Sequence, residues 1–184
     1  MKMVVLLNMK VNFWTEKKNG KGKEYLINSD HDLFFEGEYL NGLRNGKGKE
    51  YIDNGILKFE GEYLYNYKLK GKNYVNEKLE YEGEYLFRKY NGKGYDENGN
   101  IIYELKNGTG KVKEYIDNDD LILFEGEYLN GFKHGKGKEY SGDSLIFEGE
   151  YLNGLRNGKG KEYYNTGNLR FEGEYLNGKR LEGN

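Results

Sequence analysis

Residues Phe35–Tyr51 read FEGEYLNGLRNGKGKEY, and nearly the same string returns as FEGEYLNGFKHGKGKEY at Phe124–Tyr140. Its first part, an aromatic residue followed by Glu-Gly-Glu-Tyr, begins at positions 35, 59, 81, 124, 147 and 171, and a weaker copy begins at Tyr103. A near-constant period of 21 to 24 residues is typical of repeat proteins, in which each unit is one supersecondary element. The sequence therefore predicts a tandem array with no linker between its units.

Each unit has the pattern of a β-hairpin. Phe35, Gly37 and Tyr39 alternate with two glutamates, which is the two-residue period of a strand. Asn41-Gly42 is the favoured type I′ turn, because both residues tolerate positive φ. We therefore expect one hairpin per repeat and one antiparallel meander.

The two-residue turn also predicts a register. Glu36 should face Lys47, Gly37 should face Gly46, and the ring of Phe35 should lie over its partner, Gly48. The same pairing is expected in the repeats that begin at residues 81, 124 and 147. A longer loop that includes Asn45-Gly46 would shift this register, and the sequence leaves both arrangements open.

Composition limits the function classes. Apolar residues make up 36% and charged residues 33% of the 184 residues, but 19 Tyr and 9 Phe argue against a disordered chain. The formal net charge of -2, without a basic run, gives no support to nucleic-acid binding. The absence of Cys excludes disulfides and thiolate metal sites and fits a reducing cytoplasm. The apolar run Met3–Leu7 is too short for a signal peptide or a membrane span.

The repeat resembles the MORN (membrane occupation and recognition nexus) repeat. The MORN consensus runs Tyr-Glu-Gly-Glu-Trp, then Asn-Gly, two variable residues, His-Gly-Lys-Gly and a tyrosine-rich strand, and Phe124–Tyr140 retains even the His at His134. The resemblance covers residues 9–184 as about seven and a half repeats, after a capping segment at residues 1–8. Two units depart from it, because Asn66–Tyr74 lacks the Asn-Gly turn and Leu105 replaces a glycine.

The resemblance implies an all-β fold, an elongated single-layer antiparallel sheet of tandem β-hairpin repeats. It also implies a scaffold that holds a protein or peptide partner, and interfaces favour a Tyr- and Phe-rich surface. The candidate partner-binding residues are the aromatic residues at the two ends of each Glu-Gly-Glu motif: Phe35, Tyr39, Phe59, Tyr63, Tyr81, Tyr85, Phe124, Tyr128, Phe147, Tyr151, Phe171 and Tyr175.

The sequence offers little catalytic chemistry. His31 and His134 have no ligand or base at a suitable spacing, and sister repeats place Asn where His134 stands. Repeated carboxylates such as Glu36 and Glu38 share one kind of environment, whereas general acid–base pairs need two different ones. Asn107–Lys111 lacks the spacing of a phosphate loop, and the acidic turn at Asp96–Asn100 lacks the distal Glu of an EF-hand. We expect no enzyme activity, no metal and no cofactor.

Three further expectations concern partners and location. The alternative to protein binding is a peripheral membrane module that binds phospholipid headgroups, or an antitoxin-like inhibitor of a protein. We expect a cytoplasmic protein with membrane or cytoskeletal association. We also expect a homodimer through the C-terminal repeat, Phe171–Gly183, because its return strand is short.

Overall fold

A computed structural model describes residues 8–11, 19–26, 32–52, 55–115 and 121–181. Strands make up 77% of these residues, which contain no α-helix. The chain divides into two compact units, unit 1 at Met1–Phe87 and unit 2 at Arg88–Asn184. The prediction of an all-β fold of antiparallel hairpins is confirmed, but the strands belong to two sheets instead of one meander.

In unit 1 the strands pair in chain order, each antiparallel to the next. The predicted capping segment at residues 1–8 lies outside the described residues except for Asn8, where the first strand begins. The strands are β1 (Asn8–Val11), β2 (Gly20–Tyr25), β3 (Leu33–Leu40), β4 (Leu43–Ile52), β5 (Ile56–Leu64), β6 (Tyr67–Val75) and β7 (Lys78–Tyr85).

In unit 2 the ladder is interrupted once. The second strand of this unit ends at Leu105 and its third strand begins at Gly110. Between these two strands only Lys106 and Thr109 form a bridge. On either side of this point the strands again pair in chain order. They are β8 (Lys89–Tyr95), β9 (Ile101–Leu105), β10 (Gly110–Tyr115), β11 (Ile122–Leu129), β12 (Phe132–Ser141), β13 (Ser144–Leu152), β14 (Leu155–Tyr163), β15 (Leu169–Leu176) and β16 (Lys179–Arg180).

The Asn-Gly turns form as predicted. Asn41 and Gly42 have φ values of 52° and 84°, and Leu40 pairs with Leu43 across the turn. Asn130-Gly131, Asn153-Gly154 and Asn177-Gly178 have similar positive φ values at the tips of their hairpins. The type I′ requirement for positive φ at both central residues is therefore met by the sequence.

The predicted register is wrong by two residues. Gly37 pairs with Gly48 instead of Gly46, Glu36 with Lys49 instead of Lys47, and Phe35 with Glu50. The hairpins that begin at Phe124 and Phe147 have the same shift, with Gly126 paired to Gly137 and Gly149 to Gly160.

A bulge in the return strand causes the shift. Tyr39 pairs with Arg44, but the next pair is Gly37 with Gly48, so three residues of β4 lie opposite Glu38. Gly46 has φ +99° there, and its missing Cβ would lie 2.1 Å from Glu38 Oε2. The Lys47 N–H donates to the same carboxylate oxygen at 2.9 Å. The second Asn-Gly therefore forms a bulge.

The two atypical repeats differ at these same features. The hairpin of β5 and β6 turns at Tyr65-Asn66, both at positive φ, and its bulge has one extra residue instead of two. Leu105 pairs with Gly92 and is 1% exposed, and the ladder breaks directly after it. The two units that depart from the consensus in sequence therefore also depart from it in structure.

Candidate functional site

The aromatic face of the sheet carries its own core. The ring of Phe35 lies against the paired glycines, and a Cβ on Gly48 would lie 2.5 Å from its Cζ atom. Tyr39 and Tyr63 contact the ring edge-on, with centroids 5.7 Å and 5.2 Å away. The Arg44 guanidinium covers the ring at 4.1 Å from its centroid. These neighbours in the same sheet bury Phe35 completely.

A line of charges holds these cations in place. Arg44 donates to Glu24 and Glu50, at 2.5 Å and 3.1 Å, and Lys68 lies over Phe59 and pairs with Glu50 at 2.9 Å. Burial would lower the pKa of Arg44, but the hydrogen bond and the charge of Glu24 outweigh it, and the pKa lies above its ordinary value. Cation–π contacts gain strength when they are desolvated in this way.

Unit 2 repeats the arrangement. Arg156 covers Phe147 at 4.0 Å from its centroid and donates to Glu139 and Glu162. Burial would raise the pKa of Glu139, but the hydrogen bond from Arg156 and the charges of Arg156 and Lys133 hold it below its ordinary value. The cations are therefore part of the core, a feature that the sequence analysis missed although Arg or Lys recurs five residues after every motif tyrosine except Tyr85.

The predicted partner-binding aromatic residues lie on this face. Tyr85, Tyr128 and Phe171 are half-buried, whereas the other nine residues are at most 4% exposed. The buried rings contact each other and the glycine backbone, so their surface is already occupied. Partner binding by the aromatic face stays a prediction, and only the three half-buried rings have surface to offer.

The opposite face of unit 1 forms a charged groove of about 1120 Å³. Its floor is the bare backbone of paired glycines, and alternating Lys and Glu side chains stand on both sides of that floor. The outer row, toward the loops that join hairpins, is Lys23, Glu36, Lys49, Glu60, Lys72 and Glu82, and the inner row, toward the hairpin tips, is Lys21, Glu38, Lys47, Glu62 and Lys70.

The outer row is internally paired. Lys23 contacts Glu36 at 3.0 Å, and the Tyr51 hydroxyl donates to the same carboxylate at 2.8 Å. These two hydrogen bonds hold the pKa of Glu36 below its ordinary value. Lys49 and Glu60 repeat the contact at 3.4 Å. Such exposed pairs contribute little stability each, so the outer row chiefly keeps its charges neutralised.

The inner row is different. Glu38 is held by the bulge backbone, as described above. Within the described residues, the amino groups of Lys21, Lys47 and Lys70 have no carboxylate within 4.0 Å. The inner row thus presents three unpaired cations along the groove.

Unit 2 has a similar groove of about 1020 Å³. Lys161 pairs with Glu172 at 3.2 Å in its outer row, and Glu150 accepts the Lys159 N–H at 2.9 Å in its inner row. The groove therefore occurs in both units and is a property of the repeat.

The candidate histidine has a structural setting. His31 lies outside the described residues, and His134 pairs with Glu127 in the ladder. Its sister positions Asn19, Asn91 and Asn157 each accept a backbone N–H from the next hairpin tip, at 2.7 to 3.2 Å. At these three positions the side chain thus serves a contact between repeats, whereas His134 Nδ1 and Asn45 Oδ1 are buried without a hydrogen-bond partner among the described residues.

Two features are absent from the described residues. These residues contain no group of three or more His, Cys, Asp and Glu residues placed to hold a metal ion. They also contain no helix with the length and apolarity needed to cross a membrane.

Comparison with protein families matches three of these hairpins. The model of the MORN repeat matches residues 35–56, 124–145 and 147–169. No significant match was found among curated proteins. MORN repeats are generally non-catalytic and are compatible with a binding or scaffold module. The matched segments share one turn, one bulge and one glycine pairing, so the chain contains MORN repeats at these three places.

Proposed function

We propose that this protein is a non-catalytic binding module that holds a polypeptide partner on its charged face. The observation that supports this most directly is the groove in each unit, with a glycine floor between two rows of Lys and Glu. Glycines leave the backbone open to close approach, and the charged rows supply polar contacts beside it. The aromatic face is a poorer candidate, because its rings are used in the core.

A polypeptide suits the groove better than a phospholipid surface. Anionic lipids attract clustered Lys and Arg, whereas each row here alternates in sign and the chain has a net charge of -2. Alternating charges instead favour a partner whose own charges stand in a fixed order, as the side chains of a polypeptide do. An antitoxin-like inhibitor would be one case of the same binding activity.

A catalytic role has less support. The groove carboxylates recur in similar settings from hairpin to hairpin, paired with Lys and Tyr in the outer row. Acid–base catalysis needs two groups whose environments separate their pKa values. The groove repeats one environment instead.

Affinity capture with a charge-reversed groove tests the proposal. The Lys47→Glu/Lys70→Glu variant should lose partners that the unchanged protein recovers from cells of its source, as identified by mass spectrometry. The control is Lys106→Glu, an exposed change outside both grooves and outside the final strands, which should recover the same partners. Equal recovery by all three proteins would contradict groove binding. Co-sedimentation with anionic vesicles by the unchanged protein alone would favour the phospholipid alternative.

A further inference from the structure

Two hairpin tips in unit 1 carry exposed aromatic residues in a backbone conformation that aromatic residues avoid. Tyr65 has φ +49° and Phe87 has φ +62°, at tips where sister repeats have Asn-Gly. Positive φ is a clear outlier for bulky side chains. Unfavourable backbone conformations of this kind occur often at functional sites, where the side chain is needed.

Burial does not explain these aromatic residues. Tyr65 is 54% and Phe87 is 75% exposed. The ring of Phe87 contacts Tyr67 edge-on at 4.9 Å, and Tyr67 is itself 57% exposed. Leu64 and Leu86 add exposed apolar surface beside them. We call Leu64, Tyr65, Tyr67, Leu86 and Phe87 the tip cluster.

The tip cluster borders the inner row of the unit 1 groove. Leu64 follows Glu60 and Glu62 at two-residue steps along β5, which places it on the charged face, and Tyr67 pairs with it. Of the three unpaired lysines, Lys70 stands on β6 in the Tyr65 hairpin, Lys47 on the neighbouring hairpin, and Lys21 one hairpin farther along the same row. Apolar surface and free positive charge therefore lie side by side along one edge of the groove.

The geometry points to one occupant of this edge: an acidic amphipathic α-helix of a protein partner, lying across the strands of unit 1. We propose that its apolar stripe packs on the tip cluster and that its carboxylates meet Lys21, Lys47 and Lys70. This inference rests on the proposed groove function and names the chemistry of its partner.

The repeat distance favours a helix over an extended segment. Each hairpin contributes two strands about 4.8 Å apart, so tips and unpaired lysines recur about every 9.6 Å. Equivalent residues of a helix, seven apart, recur every ~10.5 Å. An extended chain presents the same side every ~6.7 Å, which does not match the hairpin spacing. Over three consecutive tips, the mismatch between the helix repeat and the hairpin spacing adds up to only ~2 Å.

Charge selects an acidic helix. Within the described residues of the inner row, the three lysines have no partner carboxylate, Glu38 is engaged by the bulge, and Glu62 remains as an unpaired acid. With three lysines and two glutamates, the inner row has a formal charge of +1, and its excess is positive. Opposite charges across an interface favour correct pairing and disfavour the wrong one.

Designed peptides test this proposal. The first probe is a helix of about four heptads with Leu along one stripe and Glu on its flank. A second has the same composition in scrambled order, and a third has Lys in place of Glu. Fluorescence anisotropy measures their Kd for the unchanged protein, for Tyr65→Asn/Phe87→Asn, and for the control Leu152→Asn/Leu155→Asn, which alters a hairpin tip of unit 2.

The acidic helix should bind at least about tenfold more tightly than the other two peptides. The Tyr65→Asn/Phe87→Asn variant should raise its Kd by about tenfold, whereas the control should not. Asn suits positive φ, so the melting temperature of the tip variant should be no lower than that of the unchanged protein. This retained stability separates lost binding from lost folding.

Equal binding of the three peptides, or the same Kd for the tip variant and the control, would overturn the inference. The groove function would still stand if Lys47→Glu/Lys70→Glu abolished capture of a cellular partner and the tip variant did not. Binding to phosphatidylcholine vesicles tests whether the tip cluster contacts a membrane instead. If the tip substitutions abolish vesicle binding and leave the peptide Kd unchanged, the cluster contacts a membrane and the helix proposal fails.

Discussion

Glycine determines how closely the aromatic rings approach the sheet. At Gly137, an added Cβ would lie 2.6 Å from Phe124 Cζ and 3.1 Å from Tyr151 Cε2. Both are carbon atoms of rings packed on other rings, so neither can move away at low cost. The absence of a side chain at this position is therefore as important to the core as the Phe124 ring.

The first prediction concerns this contact. Gly137→Val should lower the free energy of unfolding by about 1–3 kcal/mol, because the added side chain overlaps the Phe124 ring. Denaturant unfolding gives the value. In the Phe124→Ala background the same substitution should cost at least ~1 kcal/mol less, since the ring it displaces is gone. An equal cost in both backgrounds would show that the two residues are not coupled.

The second prediction concerns acid stability. The hydrogen bond from Arg180 lowers the pKa of Glu162 below its ordinary value, against the opposing effect of burial and with help from Tyr175 and Arg156. A carboxyl whose pKa is lower in the folded state stabilises the fold above its unfolded pKa of about 4.3. That stabilisation is lost as the pH falls from about 4.3 through the lower folded pKa.

Thermal melts between neutral pH and pH 3 measure this effect. The melting temperature should fall below about pH 4.3, and Glu162→Gln should make that fall shallower, because the group that titrates is removed. Arg180→Met should have the same effect through the loss of the cation. An identical acid slope in all three proteins would contradict the assigned role of Glu162.

At the scale of the hairpin, the sequence predicts the turn and misses the bulge. Both follow from Asn-Gly pairs, but Asn41-Gly42 gives a two-residue turn, whereas Asn45-Gly46 gives a bulge three residues wide. The deciding interaction is the Glu38 carboxylate that accepts the Lys47 N–H, and it depends on the folded hairpin. A local pattern cannot choose between the two registers, because the choice is made by a contact across strands.

The third prediction tests the bulge. Gly158 has φ +93°, and a Cβ there would lie 2.1 Å from Glu150 Oε2. Gly158→Ala should therefore reduce the free energy of unfolding by about 1–3 kcal/mol, from backbone strain and from displacement of the carboxylate. Glu150→Gln is the matched control, since its amide oxygen can still accept the Lys159 N–H. If Gly158→Ala proved neutral, the bulge would not require glycine.

The faces of the sheet were predictable in part. Two-residue alternation assigns Phe35 and Tyr39 to one face and the two glutamates to the other, and the structure agrees. Alternation cannot show that the aromatic face covers itself, because that depends on Arg44 closing over Phe35. The aromatic face is therefore covered and the charged face is open. For this reason the groove replaces the aromatic rings as the candidate site.

Over the whole molecule, a residue that departs from the repeat shows what the usual residue contributes. Leu105 occupies a glycine position, and the ladder is reduced to one bridge immediately after it. A side chain at that position needs space that the glycine pair does not provide, as the 1% exposure of Leu105 indicates. The sequence marked this unit as atypical, but it could not predict that the hydrogen-bonded ladder would break.

The last prediction concerns the final strands of unit 2. Within the described residues, β16 pairs with β15 only at Tyr175–Arg180 and Leu176–Lys179, so the backbone before Glu174 has no ladder partner on that side. Phe171 there is half-buried, and Arg180 covers it at 4.7 Å from the ring centroid, farther than the 4.0 Å of Arg156 over Phe147. An unpaired strand edge with a partly exposed ring favours the addition of another strand.

We therefore expect association of two copies through Phe171–Gly183. Light scattering at tens of micromolar should give a mass near twice 21.5 kDa for the unchanged protein. Phe171→Lys should shift the mass toward the monomer, because a charge at the edge opposes strand addition.

Phe59→Lys is unsuitable as a control, since Phe59 is fully buried and its loss would unfold the core. Leu152→Lys is suitable because Leu152 is an exposed tip residue of the same unit, and it should leave the dimer intact. A monomer mass for the unchanged protein would remove the basis for this interface, and a dimer mass for Phe171→Lys would place it elsewhere on the surface.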